Sequence, residues 1–451
     1  MKYLFGISPK RAVAVIALLL LAALNASAAD RPNIIIIYID NVGYGDLACY
    51  GNPVIQTPRM DRLAREGTRL TAFYIVTSTC SASRAALLTG RYPERNGLTH
   101  QLSPEENIRG IGLSHDETIL PQYLKQANYA TACFGKWNIG FAPGSRPTDR
   151  GFDEFFGNIS GNCDYYTHRY NDRHDLYRGT EPVQAEGYST DLTADAACDF
   201  IRRCAETDQP FFAYIPFNAA HVPNPKNKRP GEDTFWQAPA EFFRQYGYDP
   251  EDRDPSHGYH AVMTALDAGI GRVIDQVDTL GLSDNTLLIV ASDNGGRRRD
   301  LEVATNAPFR GVRTEVYEGG IRTPCIIRWP GRIPSSSVCR EPLTNMDLFA
   351  LSLSVAGVPL PTDRVIDARD PLPTLAGNAS SPHDYLFFQF RKFSGMRHRQ
   401  WKIVRPNPAA PFELYDLSND HTETANLANE KPQLVQDLST AFESWLQTTK
   451  E

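Results

Sequence analysis

Three short, almost wholly apolar runs constrain the fold of this chain more than any other feature of its sequence. They span residues 33–39, 211–216 and 286–291. Runs of this length and composition are typical of strands that are buried on both faces of a parallel sheet. Helical patterns alternate with them along the chain, which favours an α/β fold with a mostly parallel central sheet flanked by helices.

Polar residues follow each apolar run. Asp40 comes directly after the first run, His221 lies shortly after the second, and Asp293 and Asn294 follow the third. The carboxyl ends of strands form the edge at which open α/β sheets bind their ligands. We therefore expect these side chains to gather at one edge of the sheet.

Amphipathic helices are predicted between the strands and after them. Their segments are residues 58–66, 119–128, 192–205, 262–280 and 342–355. Two long segments without regular periodicity, residues 165–188 and 222–257, are predicted loops. Loops of this length in a compact domain are usually functional or disordered.

A change in composition divides the chain near residue 358. The segment that follows, residues 359–382, is dense in Pro, Asp and Gly. Short strand patterns and one final helix come after it, at residues 385–388, 401–404, 412–416 and 432–447. The sequence therefore predicts an N-terminal domain, residues 29–358, and a smaller C-terminal α+β subdomain with an antiparallel sheet, residues 359–451.

The first 28 residues have the composition of a secretory signal. Basic residues lie near the start, an apolar run covers residues 12–24, and Ala26, Ser27 and Ala28 supply small side chains for cleavage. The apolar run is too short to cross a bilayer comfortably, which argues against a permanent membrane anchor. We therefore expect an exported protein, periplasmic or extracellular.

Charge and cysteine content exclude two broad classes. The formal net charge of −7 gives no overall attraction for nucleic acid, so no nucleic-acid partner is expected. Eight cysteines in 451 residues do not make a disulfide scaffold, and no pair has zinc-ribbon spacing. If the substrate is an anion, positive charge must be gathered locally to bind it.

The segment CSASRAALLTG, from Cys80 to Gly90, is the most specific motif in the chain. Ser81 or Ser83 can cap the Ala- and Leu-rich helix that follows. Cys80 would then lie at a helix N-terminus, where the helix dipole and free N–H groups favour anions. From this segment alone, Cys80 is either a low-pKa thiolate nucleophile or a buried structural cysteine.

The same segment resembles the signature of the type I, formylglycine-dependent sulfatases of the alkaline phosphatase-like superfamily. In that family, a Cys followed at two and four positions by Pro or Ala and by Arg is oxidised to formylglycine. Other blocks agree with the family in order along the chain, at residues 32–51, 135–140, 291–296, 308–330 and 413–417. The resemblance implies the superfamily's α/β fold, a sulfuric ester hydrolase and a formylglycine-generating maturation enzyme as a partner.

The resemblance also implies a metal site. Asp40, Asn41, Asp293 and Asn294, together with residue 80, would bind a calcium ion that polarises the sulfate and the attacking oxygen. Hard oxygen donors at these positions suit calcium rather than zinc. One hydroxyl of the hydrated formylglycine would attack sulfur, and loss of the proton from its second hydroxyl would then expel sulfate.

Four basic residues receive roles from the resemblance. Arg84 would hold the diol, and Lys136 would bridge the diol and the sulfate oxygens. His221 would donate a proton to the leaving oxygen. Arg313 would bind the sulfate of the substrate, at a position where the family usually has Lys.

Two asparagines depart from the family pattern. Asn41 replaces a second Asp, which removes a negative charge from the metal site but leaves an oxygen donor. Asn138, expected to contact the substrate, replaces the His of the Gly-Lys-Trp-His motif, and an amide cannot act as a base near neutral pH. Either another residue takes that role or turnover stops at the sulfated adduct. Histidines in or beside the two long loops are the candidates for the base: His168, His174, His257 and His260.

The leading interpretation is a sulfatase that acts on a sulfated sugar or polysaccharide. The Tyr-, His- and Arg-rich stretch 165–177 fits a wall that stacks on sugar rings and binds carboxylate or sulfate. One alternative is a phosphodiester or phosphonate monoester hydrolase of the same superfamily, although no second cluster of metal ligands is visible. The other is a non-catalytic protein that binds sulfated glycans, which Asn41 and Asn138 favour and the intact Cys80 opposes.

Overall fold

A computed structural model describes residues 31–103, 105–106, 109–223, 236–297 and 303–449. The predicted secretory signal, residues 1–28, lies outside the described residues, and so does part of the predicted loop 222–257. Within these described ranges, every helix is too short or too polar to cross a membrane.

Most described strands belong to one large sheet or to a separate antiparallel sheet near the C-terminus. In chain order they are β1 (Asn33–Ile39), β2 (Thr68–Leu70), β3 (Phe73–Tyr74), β4 (Ala130–Phe134), β5 (Glu154–Gly157), β6 (Arg169–Tyr170), β7 (Arg173–His174), β8 (Tyr177–Arg178), β9 (Glu181–Pro182), β10 (Phe211–Pro216), β11 (Thr286–Ser292), β12 (Cys325–Arg328), β13 (Ser337–Cys339), β14 (Leu343–Thr344), β15 (Tyr385–Phe390), β16 (Phe393–His398), β17 (Trp401–Arg405) and β18 (Glu413–Asp416).

The large sheet has the strand order β13-β2-β12-β11-β1-β10-β4-β5-β8-β9. Its five central strands, from β11 to β5, are parallel, and antiparallel strands extend it on both sides. The three apolar runs are the three central neighbours: Ile34 of β1 lies opposite Phe212 of β10 and Leu287 of β11. The predicted α/β fold with a mostly parallel sheet is therefore confirmed.

The described helices cover both faces of this sheet. In chain order they are α1 (Pro58–Glu66), α2 (Cys80–Thr89), α3 (Pro93–Asn96), α4 (Leu120–Gln126), α5 (Ser189–Ala205), α6 (Ala240–Arg244), α7 (Pro255–Thr279), α8 (Glu318–Ile321), α9 (Asp347–Val355), α10 (Leu372–Leu375) and α11 (Pro432–Thr448). Along β1, Ile34 and Ile36 pack into the core under α2, α4 and α9, whereas Ile35 and Ile37 pack into the core under α1, α5 and α7. This alternation follows from the two-residue period of a strand.

The largest differences between the predicted and the observed helices lie at the N-termini of two of them. α7 begins at Pro255, earlier than expected, because Asp254 caps it by accepting a hydrogen bond from Ser256 N at 2.8 Å. The helix predicted at 342–355 begins only at Asp347. Its first residues form β14 instead, which pairs with β3, so strand pairing overrides the local helical pattern there.

The four-stranded antiparallel sheet β15-β16-β17-β18 lies in the C-terminal part of the chain, as predicted. α11 packs against it, with the rings of Phe387 and Trp445 stacked at 4.5 Å. β16 was not expected from its sequence, FSGMRH, which mixes glycine with polar residues. It forms because both its neighbours supply backbone partners. The boundary at residue 358 stays a prediction.

The predicted loop 165–188 contains two short hairpins. β6 pairs with β7, and β8 pairs with β9. Since β8 also pairs antiparallel with β5, the second hairpin extends the large sheet. The loop is thereby held against the sheet edge that follows β4 and β5.

Candidate active site

Cys80 is the first residue of α2, directly after the N-cap Thr79, and is buried. Its predicted position at a helix N-terminus is confirmed. Neither predicted serine caps the helix: Ser81 Oγ accepts a hydrogen bond from Leu102 N, and Ser83 Oγ pairs with the hydroxyl of Tyr38. The cap prediction is wrong because tertiary partners engage both hydroxyls.

The ends of β1 and β11 place oxygen atoms around the Cys80 thiol. Cys80 Sγ lies 3.7 Å from Asp40 Oδ1, 3.9 Å from Asn41 Oδ1 and 3.8 Å from Asn294 Oδ1. Asp293 joins the two strand ends, since its Oδ1 accepts a hydrogen bond from Asn41 N at 3.2 Å. All these side chains are buried. The structure thus brings the predicted metal ligands together at the expected sheet edge.

Three cationic side chains surround the same centre. Arg84 Nη2 lies 3.0 Å from Asp40 Oδ2 and 2.8 Å from Asp293 Oδ2, and Lys136 Nζ forms a short ion pair with Asp40. Arg313 Nη2 lies 3.4 Å from the sulfur of Cys80. Three positive charges face two carboxylates, so the site has a positive surplus that suits an anionic substrate.

Burial and neighbouring charges shift the titrating groups of this centre. Burial by itself would raise the pKa of Asp40. Nearby cations, Lys136 foremost, outweigh burial and hold that pKa well below its ordinary value. Burial and the charge of Asp40 raise the pKa of Asp293. Burial also raises the pKa of the Cys80 thiol to about 12, so the unmodified side chain is a neutral thiol near neutral pH. The low-pKa thiolate considered for Cys80 is therefore not supported.

The donor set fits a hard divalent cation. Among the described residues, Asp40, Cys80 and Asp293 are the one group of three potential ligands whose ligand atoms lie within 4.8 Å of one another. Two amide oxygens, from Asn41 and Asn294, lie beside them. Asn41 Nδ2 is buried and has no hydrogen-bond partner within the described ranges, so this amide is held chiefly by its oxygen, which accepts from Asn294 Nδ2 at 2.9 Å. Carboxylate and amide oxygens suit calcium better than zinc.

His221 lies beside this centre, in the loop after β10. Two backbone hydrogen bonds of 3.0 Å, Asp40 N to Ala219 O and Ala220 N to Asp40 O, hold the loop against Asp40. Nδ1 of His221 bonds to Val222 O at 2.7 Å, which assigns its proton to Nδ1. Burial lowers the pKa of His221 to about 3, so the imidazole is neutral, and a bound anion would shift it back towards protonation.

Asn138 is fully buried and adopts a left-handed backbone conformation, with φ 61°. Its backbone N–H donates to Ile159 O at 3.1 Å, and its Oδ1 accepts a hydrogen bond from Gln101 Nε2 at 3.3 Å. Its Nδ2 has no hydrogen-bond partner in the part of the chain that the structure describes. Gln101 Oε1 in turn accepts from Ser81 N at 3.3 Å and from the Thr79 hydroxyl at 3.2 Å. Gln101 thereby connects Asn138 to the start of the Cys80 helix.

Residues 32–358 match the family model described as Sulfatase. The chain belongs to the sulfatase family. Residues 313–450 also match the model described as N-sulphoglucosamine sulphohydrolase, C-terminal. The predicted family, and with it the prediction of an enzyme, is confirmed.

Curated relatives of this sulfatase carry related names. It is 34% identical over 387 residues to N-acetylgalactosamine-6-sulfatase of Canis lupus familiaris, an alignment that covers 81% of this chain and 70% of the relative. It is 30% identical to steryl-sulfatase of Rattus norvegicus, over 82% of this chain and 75% of the relative.

Solved structures of sulfatases have the same fold. The crystal structure of Ps i-CgsB superposes with a TM-score of 0.83 at 28% identity, over 92% of this chain and 93% of that chain. The phosphonate monoester hydrolase SpPMH from Silicibacter pomeroyi shares the fold with a TM-score of 0.65 at 20% identity, over 93% and 96% of the two chains. The predicted alkaline phosphatase-like fold is therefore confirmed.

The four histidines considered as a replacement for the missing base in this sulfatase contact other groups or line another cavity. His174 Nε2 bonds to Val183 O, His257 pairs with Asp252, and His260 contacts the Tyr248 hydroxyl. His168 lines a small cavity with Asp164 and Asp175. No described hydrogen bond joins any of the four to Asn138. The structure therefore does not support the hypothesis that they fold back to that position.

Sequence reasoning missed Gln101. The residue lies in a loop with no motif around it, and its role depends on contacts with Thr79, Ser81 and Asn138, which are 20 to 37 residues away in sequence. A lone glutamine in a loop carries no sequence signal for such a contact.

Proposed function

We propose that this sulfatase hydrolyses sulfate esters of sugars in a sulfated carbohydrate, with formylglycine made from Cys80 as nucleophile and calcium as cofactor. The setting of the Cys80 side chain carries the proposal. Oxygens of three strand-end residues lie within 3.9 Å of its sulfur, and the guanidinium of Arg313 lies 3.4 Å from it. A group at this position faces both the proposed metal ligands and the cations that would bind a sulfate.

The oxygens of Asp40, Asn41, Asp293 and Asn294 would hold the metal. Calcium at this position would polarise the sulfate, and formylglycine at position 80 would supply an oxygen nucleophile. Arg84 contacts both carboxylates, so it fixes the orientation of two proposed ligands as well as their charge.

The remaining polar groups are assigned to the substrate. Lys136 and Arg313 would bind the sulfate oxygens, because both cations are directed towards the centre occupied by Cys80 and Asp40. Asn138 would donate a hydrogen bond to the substrate from Nδ2, which lacks a partner among the described residues. His221, beside Asp40, would give a proton to the leaving oxygen.

The substrate class rests on relatives of known name. Curated relatives include N-acetylgalactosamine-6-sulfatases, and Ps i-CgsB has been crystallised in complex with k-i-k-neocarrahexaose. A sulfated sugar is therefore the substrate we propose. We further propose that residues 1–28 direct export to the periplasm or the extracellular space and that a formylglycine-generating enzyme matures Cys80.

The direct test is to express the protein with a maturation enzyme, to measure the mass of the peptide that carries residue 80, and to assay sulfate release. We expect an aldehyde mass at Cys80. We also expect sulfate release from hexasaccharides of at least one of chondroitin 6-sulfate, carrageenan and heparan sulfate. Hydrolysis of a phosphonate monoester should be much slower.

An unmodified thiol despite a working maturation control would contradict the formylglycine assignment and favour the non-catalytic glycan-binding alternative. Preferential cleavage of the phosphonate monoester would favour the alternative function, that of a phosphodiester or phosphonate monoester hydrolase.

Calcium binding is expected to stabilise the protein measurably. Because an ion that binds only the folded state stabilises it by RT ln(1 + [L]/Kd), calcium at about 100 times Kd should add about 2.7 kcal/mol to the free energy of unfolding. A chelator should lower the thermal midpoint of the mature protein, and Asp293→Asn should abolish most of the calcium-dependent shift.

Asp275→Asn is the matched control, since Asp275 is a partly exposed carboxylate that pairs with Arg59 and Arg62 on the surface. It should keep the full calcium-dependent shift. An equal shift in wild type and in Asp293→Asn would refute the proposed metal site.

A further inference from the structure

A cleft of about 370 Å³ lies outside the catalytic centre, along the hairpins of residues 169–182. We refer to it as the side cleft. Its polar and aromatic lining includes Glu105, Arg146, Tyr170, Arg173, Asp175 and Tyr177. None of these residues belongs to the centre around Cys80, so the side cleft has no role in the chemistry proposed above.

The floor of the side cleft is joined to the catalytic centre. Ile159 and Ser160 form part of that floor, and Ile159 O accepts the backbone hydrogen bond of Asn138. The buried carboxylate of Asp175 holds the floor in place, since it accepts hydrogen bonds from Ile159 N at 3.2 Å and from Ser160 N at 3.1 Å. A ligand that fills the side cleft therefore lies next to the segment that carries Asn138.

The side cleft has cationic donors that the protein leaves available. Neither Arg146 nor Arg173 forms a salt bridge with another described residue. Arg146 is held over the ring of Tyr177, 5.0 Å from its centroid, and donates to Thr180 O at 2.7 Å. The guanidinium of Arg146 is thus held in position without being neutralised. Arg173 is exposed, beside the turn of the β6–β7 hairpin.

The aromatic and acidic groups complete a site for a carbohydrate. Tyr170 and Tyr177 are half-buried, so part of each ring faces the side cleft and can stack on a sugar. Glu105 can accept hydrogen bonds from sugar hydroxyls. Planar guanidinium groups bind carboxylate and sulfate through paired hydrogen bonds, so two of them favour an anionic sugar over a neutral one.

We propose that the side cleft binds a second, anionic sugar unit of the substrate, so that the enzyme prefers a sulfated oligosaccharide to a sulfated monosaccharide. This inference rests on the proposed sulfatase function and names the substrate more closely. The second sugar unit contributes to binding, whereas the groups around Cys80 act on the sulfate ester.

The test compares Arg173→Gln with wild type on the hexasaccharide that releases most sulfate in the panel above and on the sulfated monosaccharide obtained from it. A charge-assisted hydrogen bond is worth about 1.5–3 kcal/mol, which converts to about 10- to 100-fold. We expect KM for the hexasaccharide to rise about 10-fold with kcat within about 2-fold, and kinetics on the monosaccharide to stay unchanged. Arg146→Gln should act in the same direction.

Arg178→Gln is the matched control, because Arg178 is an exposed arginine of the neighbouring hairpin, formed by β8 and β9, that contacts Phe156 and does not line the side cleft. It should behave as wild type on both substrates. Equal KM values for the hexasaccharide in wild type and Arg173→Gln would overturn the inference while leaving the sulfatase function intact. Absence of sulfate release from every substrate by the mature wild type would overturn the proposed function itself.

Discussion

Replacing Cys80 with alanine is expected to lower kcat for sulfate release by at least about 10⁴-fold, because alanine can provide neither the proposed formylglycine nor any other nucleophile. Cys80 is buried at the start of α2, and its sulfur contacts Arg313 Nη2 at 3.4 Å and three side-chain oxygens at 3.7–3.9 Å, so alanine removes no strong hydrogen bond. We therefore expect the variant to fold. Initial rates with saturating substrate, together with circular dichroism spectra and thermal midpoints, check both expectations.

Cys204→Ala is the control for Cys80→Ala. Cys204 is another buried thiol, located near the end of α5 and away from the strand ends that hold Asp40 and Asp293. This variant should retain wild-type kcat. If Cys80→Ala kept a rate within about 10-fold of wild type while remaining folded, position 80 would not supply the nucleophile.

Replacing Lys402 with methionine is expected to lower the free energy of unfolding by about 3–5 kcal/mol, since removal of one partner leaves buried charge uncompensated. Lys402 Nζ lies 2.8 Å from Glu318 Oε1 and 2.8 Å from Glu423 Oε1, and all three side chains are fully buried. Without Lys402, the two carboxylates repel each other in a region that excludes water. Urea denaturation followed by fluorescence measures the loss.

The control for Lys402→Met is Arg203→Met, which breaks the ion pair between Arg203 and Glu154 on the surface, where both side chains are substantially exposed. Exposed pairs contribute about 0–1 kcal/mol, so this variant should lose at most about 1 kcal/mol. The double variant Lys402→Met/Glu423→Gln should recover part of the loss, since it removes one of the two repelling charges. Equal losses in Lys402→Met and Arg203→Met would contradict the expectation.

The buried charges around Lys402 also explain how the C-terminal sheet contributes to the candidate active site. Lys402 belongs to β17, whereas Glu318 begins α8, shortly after Arg313. The segment 314–318, which follows Arg313, is anchored at both ends. Thr314 N donates to Ser78 Oγ at 2.9 Å, and Glu318 N donates to Glu423 Oε2 at 2.6 Å. Arg313 therefore reaches Cys80 from a segment that the C-terminal part of the chain holds in place.

The strands and the gathering of the proposed metal ligands at one sheet edge were predictable from sequence for related reasons. A strand buried on both faces must be apolar along its whole length. The strands β1, β10 and β11 can therefore be recognised in the sequence without any knowledge of their partners. Parallel strands end at the same edge, so the polar residues that end β1 and β11 had to meet. The structure brings together Asp40 and Asp293 as this reasoning expects.

Other features of the site could not be read from sequence. β16 forms only because strands on both sides pair with it, and residues 343–344 of the expected helix at 342–355 form β14 because they pair with β3. Three histidines that were candidates for the base, His174, His257 and His260, are engaged by their own neighbours, as His257 is by Asp252. In each case a strand or a side chain that the local sequence does not reveal pairs with the residue, and this contact decides its structure.

By itself, the sequence determined the alternation of strands and helices, the Cys80 motif and the kinds of side chain that end the central strands, because these are properties of short segments. Only the tertiary structure decided which charges meet, since the partners are far apart along the chain: Arg313 and Cys80 are separated by 233 residues, and Arg84 and Asp293 by 209. The Gln101 bridge to Asn138 and the side cleft arise in the same way. Contacts of this kind depend on how the loops pack against the sheet, and the residues that make them carry no local signal of their partners.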